Sequence, residues 1–375
     1  MAWRYLAVRE DGTGGHGEIL DGDLPLTDVS ITDVLSGPPQ LTASIEPEYR
    51  KLKGSDGKPL LQQWGTAVFA EEDDHIIGGG ILVDSRFAGA QWQLDVSGYC
   101  GYPKDMPYID SWFGVGIDPL NVVRQIWTHV QGQPNGNIGL EVDATTTTPV
   151  RIGTTLKQVE FDTQSGPVSF ESGPVKLNWW ETLDLAGKMD DLARETPFDY
   201  HERHAWVGDE IHHYLDFGYP RLGTRLNGLR FVYGENVFTP PEVDGGGSIY
   251  ASEILGVGAG EGRTAVRTIH RRNTGRLRRA VSVENKAARS LKAIDAYVKS
   301  EMNWRANQES ISELVLVDHP HAPVGSVKPG DEILFEGDLG WTDLSMYVRV
   351  ISVTTTPASP DVQRLQVLPT DRIGR

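Results

Sequence analysis

The segment from Leu60 to Val83, LLQQWGTAVFAEEDDHIIGGGILV, reads as a strand, an acidic turn and a second strand, and no other part of the chain restricts its fold so tightly. Trp64, Ala67 and Phe69 lead into the turn-prone Glu71-Glu72-Asp73-Asp74; Ile76-Ile77, three glycines and Ile81-Leu82-Val83 then form the return strand. Glycine weakens a strand interior unless the backbone must bulge or another backbone must come close, so Gly78, Gly79 and Gly80 predict one of the two. A strand pair bent in this way suits a barrel wall or a surface where chains meet. It is a structural motif, with no catalytic pattern in it.

A chain of 375 residues is long for one core, and its 39% hydrophobic content is enough to fill two to four domains. No run approaches the roughly 20 apolar residues that span a bilayer. The opening MAWRYLAVREDG has neither an apolar signal region nor a cleavage site, which predicts a chain made and kept in a cytoplasm-like compartment. Cys100 is the only cysteine, so an internal disulfide and a thiolate metal cluster are excluded and a buried thiol is expected. A formal charge of −17 argues against sequence-blind binding of duplex DNA, which depends on cationic contacts to phosphate. That charge is uneven: from Arg263 to Lys292, eight Arg and two Lys stand against one Glu, a net of +9 that leaves −26 on the rest. Such a stretch is either a strand pair and helix start with solvated faces or a contact for an acidic neighbour, another copy of the chain included.

Short apolar runs punctuated by Gly, Pro and Asp, such as Tyr5 to Val8, Leu41 to Ile45 and Ala67 to Ala70, mark the first ninety residues as all-β. Asp118-Pro119 then offers an N-cap followed by a proline at the first helical position, and Leu120, Val123, Trp127 and Val130 recur on one face until Gly132, which predicts a helix over 119–131. Thr145 to Thr148 reads as linker or strand edge. Asn178 with Glu181 forms a variant capping box for a second helix that turns Leu185, Met189 and Leu192 inward and closes before Pro197. Strands follow from Phe198 to Trp206 and from Glu210 to Asp216. A third helix is predicted from about Asn285 to Ala306 with Leu291, Ile294, Val298 and Met302 on its stripe. Leu314–Val317, Asp331–Phe335, Met346–Val353 and Arg364–Leu368 return to strands. The fold class is α+β: a β-rich multidomain chain with three isolated helices and no βαβ repeat.

His201, His204, His212 and His213 crowd into thirteen residues with Glu202, Asp209 and Glu210. The zinc-protease motif places both imidazoles on one helix face; on a strand, positions 201 and 204 point to opposite faces, so no metal is assigned. Asp318-His319-Pro320-His321 could offer three ligands, but its prolines mark a rigid connector. Gly256, Gly258, Gly260 and Gly262 alternate and precede a basic strand, which fits a turn or bulge and not a dinucleotide loop. Asp190-Asp191 could supply a glycosidase's two carboxylates, and Trp179-Trp180 could stack on sugars or anchor a core. No phosphate loop, nucleophile elbow or zincin motif is present. No catalytic residue and no cofactor are expected.

Leu24-Pro25-Leu26 with Thr32-Asp33-Val34-Leu35-Ser36-Gly37-Pro38, the block from Trp64-Gly65 through Gly78-Gly79-Gly80-Ile81-Leu82, and Asp118-Pro119-Leu120 leading to Ile126-Trp127 open a series of ordered motifs. Gly218-Tyr219-Pro220-Arg221-Leu222-Gly223, Gly234-Glu235-Asn236-Val237, Gly256 to Gly262, Val281-Ser282-Val283-Glu284-Asn285-Lys286 and Pro329-Gly330-Asp331-Glu332-Ile333 continue it. In this order and spacing the chain resembles minor tail proteins of long-tailed phages of actinobacteria, along nearly its whole length.

That resemblance implies a baseplate or tail-tip hub: a homotrimer whose two tail-tube-like β-barrel domains per chain give pseudo-six-fold symmetry beneath the distal tail protein. It implies domains at 1–94 (tail-tube-like), 95–177 (inserted α+β), 178–318 (second tail-tube-like, with helices) and 319–375 (a small C-terminal β-barrel-like unit). Trp64, Gly78, Gly79, Gly80, Pro220 and Gly223 are then structural, and Arg271, Arg272, Arg278 and Arg279 are candidates for a contact between subunits. Implied partners are the distal tail protein, the tape-measure protein and receptor-binding or tip proteins, with DNA passing through at ejection and no membrane span. The expected location is the virion tail tip, assembled in host cytoplasm. No enzyme module is expected after Arg375. A tail-associated carbohydrate-binding or cell-wall hydrolase protein and a distal tail or adhesion protein stay open as alternatives.

Overall fold

The computed structural model describes residues 3–370 except 154, 156, 164–165, 197, 248, 261–264, 286–287, 289 and 306–309. Its first strands are β1 (Trp3–Arg9), β2 (Ile19–Asp21), β3 (Thr27–Val34), β4 (Gln40–Ile45), β5 (Thr66–Glu72), β6 (His75–Ala88) and β7 (Gln91–Ser97). β5 and β6 are the hairpin expected from Leu60–Val83. Its turn is narrower than four acidic residues suggested. Asp73 and Asp74 alone make it, both at positive φ (46° and 65°), as a two-residue type I′ turn requires. Glu71 stays in the strand, buried, and accepts hydrogen bonds from Arg4 and the Trp206 indole.

The predicted bulge falls at Ile77, where pairing steps from Ala70↔Gly78 to Glu71↔Ile76. Close approach is present as well. Gly79 and Gly80 hold φ of 154° and 155°, and a Cβ on either would collide with the carbonyl of Val68 or Ser97. Alternate residues of β1 and β5 feed two cores: Leu6, Val8, Ala67 and Phe69 one, Ala7, Val68 and Ala70 the other, beside Leu61 and Trp92. With both faces buried, β5 reads as an unbroken apolar run.

The middle of the chain adds β8 (Ser111–Gly114), α1 (Pro119–Gln131), β9 (Leu140–Val142), β10 (Lys157–Thr163), β11 (Gly166–Ser172), β12 (Val175–Asn178) and α2 (Leu185–Glu195). Asp118 caps α1 by accepting from the Leu120 N–H, and Leu120, Val123, Ile126, Trp127 and Val130 are buried against the β1–β5–β6 face. The start of α2 departs from the expectation. Asn178 and Glu181 do pair, at 3.0 Å, but within a turn that ends β12. Asp184 is the true N-cap, accepting from Gly187, after which Leu185, Met189 and Leu192 are buried as predicted. Pro197 lies outside the described residues.

The remaining elements are β13 (Asp199–Val207), β14 (Glu210–Gly218), β15 (Phe231–Val232), β16 (Val243–Asp244), β17 (Glu253–Val257), β18 (Arg267–Arg271), β19 (Ala280–Glu284), α3 (Leu291–Trp304), β20 (Ser310–Ile311), β21 (Glu313–Val317), β22 (Glu332–Asp338), β23 (Asp343–Thr355) and β24 (Val362–Pro369). α3 begins later than expected, with Ser290 as N-cap. Ile294, Val298 and Met302 are buried, but Leu291 is 61% exposed because it sits on the first turn, beyond the strands the helix covers. Gly256 in β17 lies directly beneath Val298 of that helix.

The main sheet runs β15-β22-β23-β3-β4-β7-β6-β5-β1-β2, with β24 on β23 and β21 on β24. The β-rich α+β class with three helices holds. The expected barrels differ in one respect: among the described residues no strand ladder closes on itself. Curvature is supplied instead by the register shifts in β3, β6 and β23. The C-terminal unit comes nearest to closure, since Val237 bridges both Tyr233 and Leu316.

Candidate assembly surface

β17 lies between β18 and β19, and α3 covers one side of this small sheet. The other side carries the basic stretch. Arg271 donates to Glu253 at 2.9 Å, and Arg278 donates to both Glu253 oxygens at 2.9 Å. Glu253 is only 12% exposed whereas its two guanidinium partners are about 70% exposed, so one carboxylate holds two arginines flat with their outer faces in water. Arg278 first and Arg271 second hold the Glu253 carboxyl at about 2.

Arg272 and Arg279 are fixed through their main chains. The Arg272 N–H donates to the Ser252 carbonyl, and the Arg279 carbonyl accepts from Ser252 and Glu253. Between them Leu277 projects with 91% exposure. An uncovered leucine thus lies in the segment between Arg272 and Arg278. Sequence reasoning found the arginines and missed Glu253 and Leu277. The signal for Leu277 was an apolar residue between Arg276 and Arg278 with no apolar neighbour at strand spacing, where Gly275 and Arg279 stand. Arg263, Lys286 and Arg289 of the same stretch, and Gly262 before it, lie outside the described residues.

Pro220 and Gly223 sit where β14 hands over to the C-terminal unit. The Tyr219–Pro220 peptide is cis. Gly223 has φ of 83° and faces the Gly330–Asp331 backbone so closely that a Cβ would not fit. Around it, Leu222 donates to Asp199, Arg349 pairs with Asp199 and Thr224 donates to Asp331. Trp64, at φ of 58°, donates its N–H to Leu82 and leaves its ring exposed near Tyr102.

The four clustered histidines do not share a site. His201 binds Asp33 at 2.8 Å, tying β13 to β3, while His204 points the opposite way, as strand alternation requires. His204 and His213 meet through their Nδ1 atoms at 2.9 Å. Burial, then the neighbouring histidines, hold His213 at about 2, so it is neutral there. Glu202, in the same interior, accepts the N–H groups of Tyr99 and Cys100 at 2.7 and 2.6 Å. Burial would raise its carboxyl, but the His204 hydrogen bond and charge outweigh that and lower it.

The Tyr99 hydroxyl donates to Glu10, whose carboxyl burial lifts to about 7. Cys100 is a buried thiol, as expected. These polar groups join β1, the 99–101 turn and the β13–β14 hairpin. His212 faces outward, stacked on His16 and bonded to Glu141.

No protein-family model matches the chain, and no curated protein matches it in sequence. Solved structures do. A tail protein from Neisseria meningitidis aligns with 100% of this chain and 98% of its own, at TM-score 0.56 and 13% identity. The 43 kDa tail protein of prophage MuSo2 from Shewanella oneidensis aligns over 99% of both chains, at TM-score 0.57 and 12% identity. A prophage tail protein from Listeria monocytogenes covers 97% of this chain and 94% of its own, at 0.53 and 11%. The chain has a phage tail-protein fold.

Asp190 accepts the Tyr200 hydroxyl at 2.9 Å. Trp179 and Trp180 are 60% and 54% exposed in the turn after β12, so they are not core anchors. Among the described residues no helix is long and apolar enough to cross a membrane.

Proposed function

We propose that the chain is a structural, non-enzymatic component of a phage tail, located in the virion at the tail tip, where three copies form a hub that closes the tube. The observation that carries this reading is a shared fold along the full length of three tail proteins. In this reading the division at 1–94, 95–177, 178–318 and 319–375 separates two tube-like domains from an insertion and a C-terminal unit. The partners are the distal tail protein, the tape-measure protein and receptor-binding or tip proteins. The acidic balance lets DNA pass the channel without adhering.

A closed ring of identical chains needs one face to meet a different face. The Arg271, Arg272, Arg278 and Arg279 surface is one such face, and the acidic remainder supplies the other. The test is electron microscopy and light scattering of the chain alone and with its tail neighbours. A three-fold ring is expected, and reversing the four arginines to Glu should leave folded monomers. Rings that survive the reversal remove the arginine face from the interface. A persistent monomer that binds cell-wall glycan would favour the second reading, carbohydrate recognition, which draws on the exposed Trp179 and Trp180.

A further inference from the structure

The His319-Pro320-His321 connector gains in three dimensions a third donor that its sequence does not contain. Glu235, from the turn after β15, brings Oε1 to 2.6 Å from His321 Nδ1 and 3.9 Å from His319 Nε2. All three donor atoms lie within 4.8 Å of one another. We propose that Glu235, His319 and His321 bind a divalent transition-metal ion of the zinc class, with solvent in the remaining position, and that the ion pins the seam of the C-terminal unit.

Two imidazoles and a carboxylate are a common donor set for zinc, and ligand bonds of about 2.0–2.1 Å place tetrahedral donors about 3.3 Å apart. The observed 2.6 and 3.9 Å bracket that spacing. The two rings stand at 69° to each other, so their nitrogens can approach one point from different directions. Asp318, by contrast, is spent on the Val324 N–H.

Both loops are held before any ion arrives. In the Glu235 turn, the Val232 N–H donates to the Asn236 side chain, which itself donates to the Arg230 carbonyl. In the histidine loop, the Ala322 N–H donates to the His319 carbonyl. The two are stitched together, since Val317 donates to the Asn236 carbonyl and Arg230 to the His321 carbonyl. Here only the isolated Val237 bridges complete the ladder, so an ion would replace a shared proton with a crosslink. The 3.2 Å bond from the His321 N–H to His319 Nδ1 must then be given up, because a metal on Nε2 leaves the ring's proton on Nδ1.

A second trio, His16, Glu141 and His212, serves as an internal control. Its imidazoles stack face to face at 3.6 Å, so their lone pairs run side by side and do not converge.

The experiment is calorimetric titration of the untagged full chain with zinc chloride at pH 7.5, with thermal melts with and without EDTA. One equivalent should bind at micromolar affinity or tighter and raise the melting temperature, and EDTA should reverse the rise. Glu235→Gln, His319→Ala and His321→Ala should each weaken binding by about 10-fold or more, while His212→Ala leaves it unchanged. All four side chains are partly exposed, so metal-free melts should match the parent. The proposal fails if the parent chain binds no zinc, if the three variants bind as well as the parent, or if His212→Ala alone abolishes binding.

Discussion

The centre of the molecule and its β17–β18–β19 layer use the same device, a helix laid over strands, with opposite results. α1 buries Leu120, Val122, Val123, Ile126, Trp127 and Val130 in a core shared with the main sheet, α2 and the β13–β14 hairpin. Among its described residues α3 buries Ile294, Val298 and Met302 with the acidic Glu301, and the far side of its sheet carries Arg271 and Arg278 on Glu253. The first helix turns its whole apolar face into its own chain and leaves only polar positions such as Asn121 and Thr128 exposed. The second unit is finished on one side only. A surface left in that state costs stability, and its retention fits a role in contact with something outside the chain.

The sharpest way to break this comparison is to hollow both cores. Trp127→Ala should lower global stability by about 3–5 kcal/mol, with fluorescence and far-UV signals falling together. Ile294→Ala should instead open a local unit. Amide exchange should quicken in β17, β18, β19 and α3 while the main sheet stays protected. Equal loss of protection across the chain in Ile294→Ala would mean that the two regions form one cooperative body.

A smaller effect separates the two regions by pH. Glu10, mostly buried at the centre, has its carboxyl raised to about 7, so the folded state holds a proton that the unfolded state releases near its ordinary value of 4.5. Stability should therefore fall as pH rises from about 4.5 through 7, by roughly 3 kcal/mol from this group. Glu10→Gln should flatten that fall in melts taken at pH 5 and pH 8. An unchanged slope would show that Glu10 is solvated in the folded state. Glu253 has the opposite sign: its carboxyl is lowered, so its contribution is present at neutral pH and lost only as pH falls toward 2.

The smallest effect belongs to the surface arginines. Arg278→Ala should leave the melting temperature of the isolated chain within error, since exposed ion pairs contribute little. A clear drop would mean that the layer depends on its arginines for folding.

How far the sequence could be read follows from how local each signal was. α1 was legible at both ends because Asp118, Pro119 and Gly132 punctuate it within one stretch. The start of α2 misled because Asn178 and Glu181 have the right chemistry and do bond to each other, yet a turn uses that bond as readily as a helix. The acidic turn after β5 was placed too early for a similar reason. Glu71 looks turn-like in sequence, and only Arg4 and Trp206, distant along the chain, explain a carboxylate inside a strand.

The candidate assembly surface was half visible. A run of arginines announces itself, whereas the acid beneath it is one of 52 acidic residues and is identified only by strand pairing. The histidines were legible as to face but not partner. Alternation separated His201 from His204, but nothing in the sequence points to Asp33 or to Glu235.

β23 has a consequence for the order in which the protein is made. Its last residues, Ser352 to Thr355, pair with Val34 to Ile31 of β3. During synthesis β3 can join β4 early, but its other edge has no partner until residues 352–355 have left the ribosome. An open strand edge invites pairing with other chains, and that interval is an aggregation hazard. The C-terminal unit thus acts as a late seal on the N-terminal sheet, and a chain cut short before residue 352 would release the protein with that edge exposed.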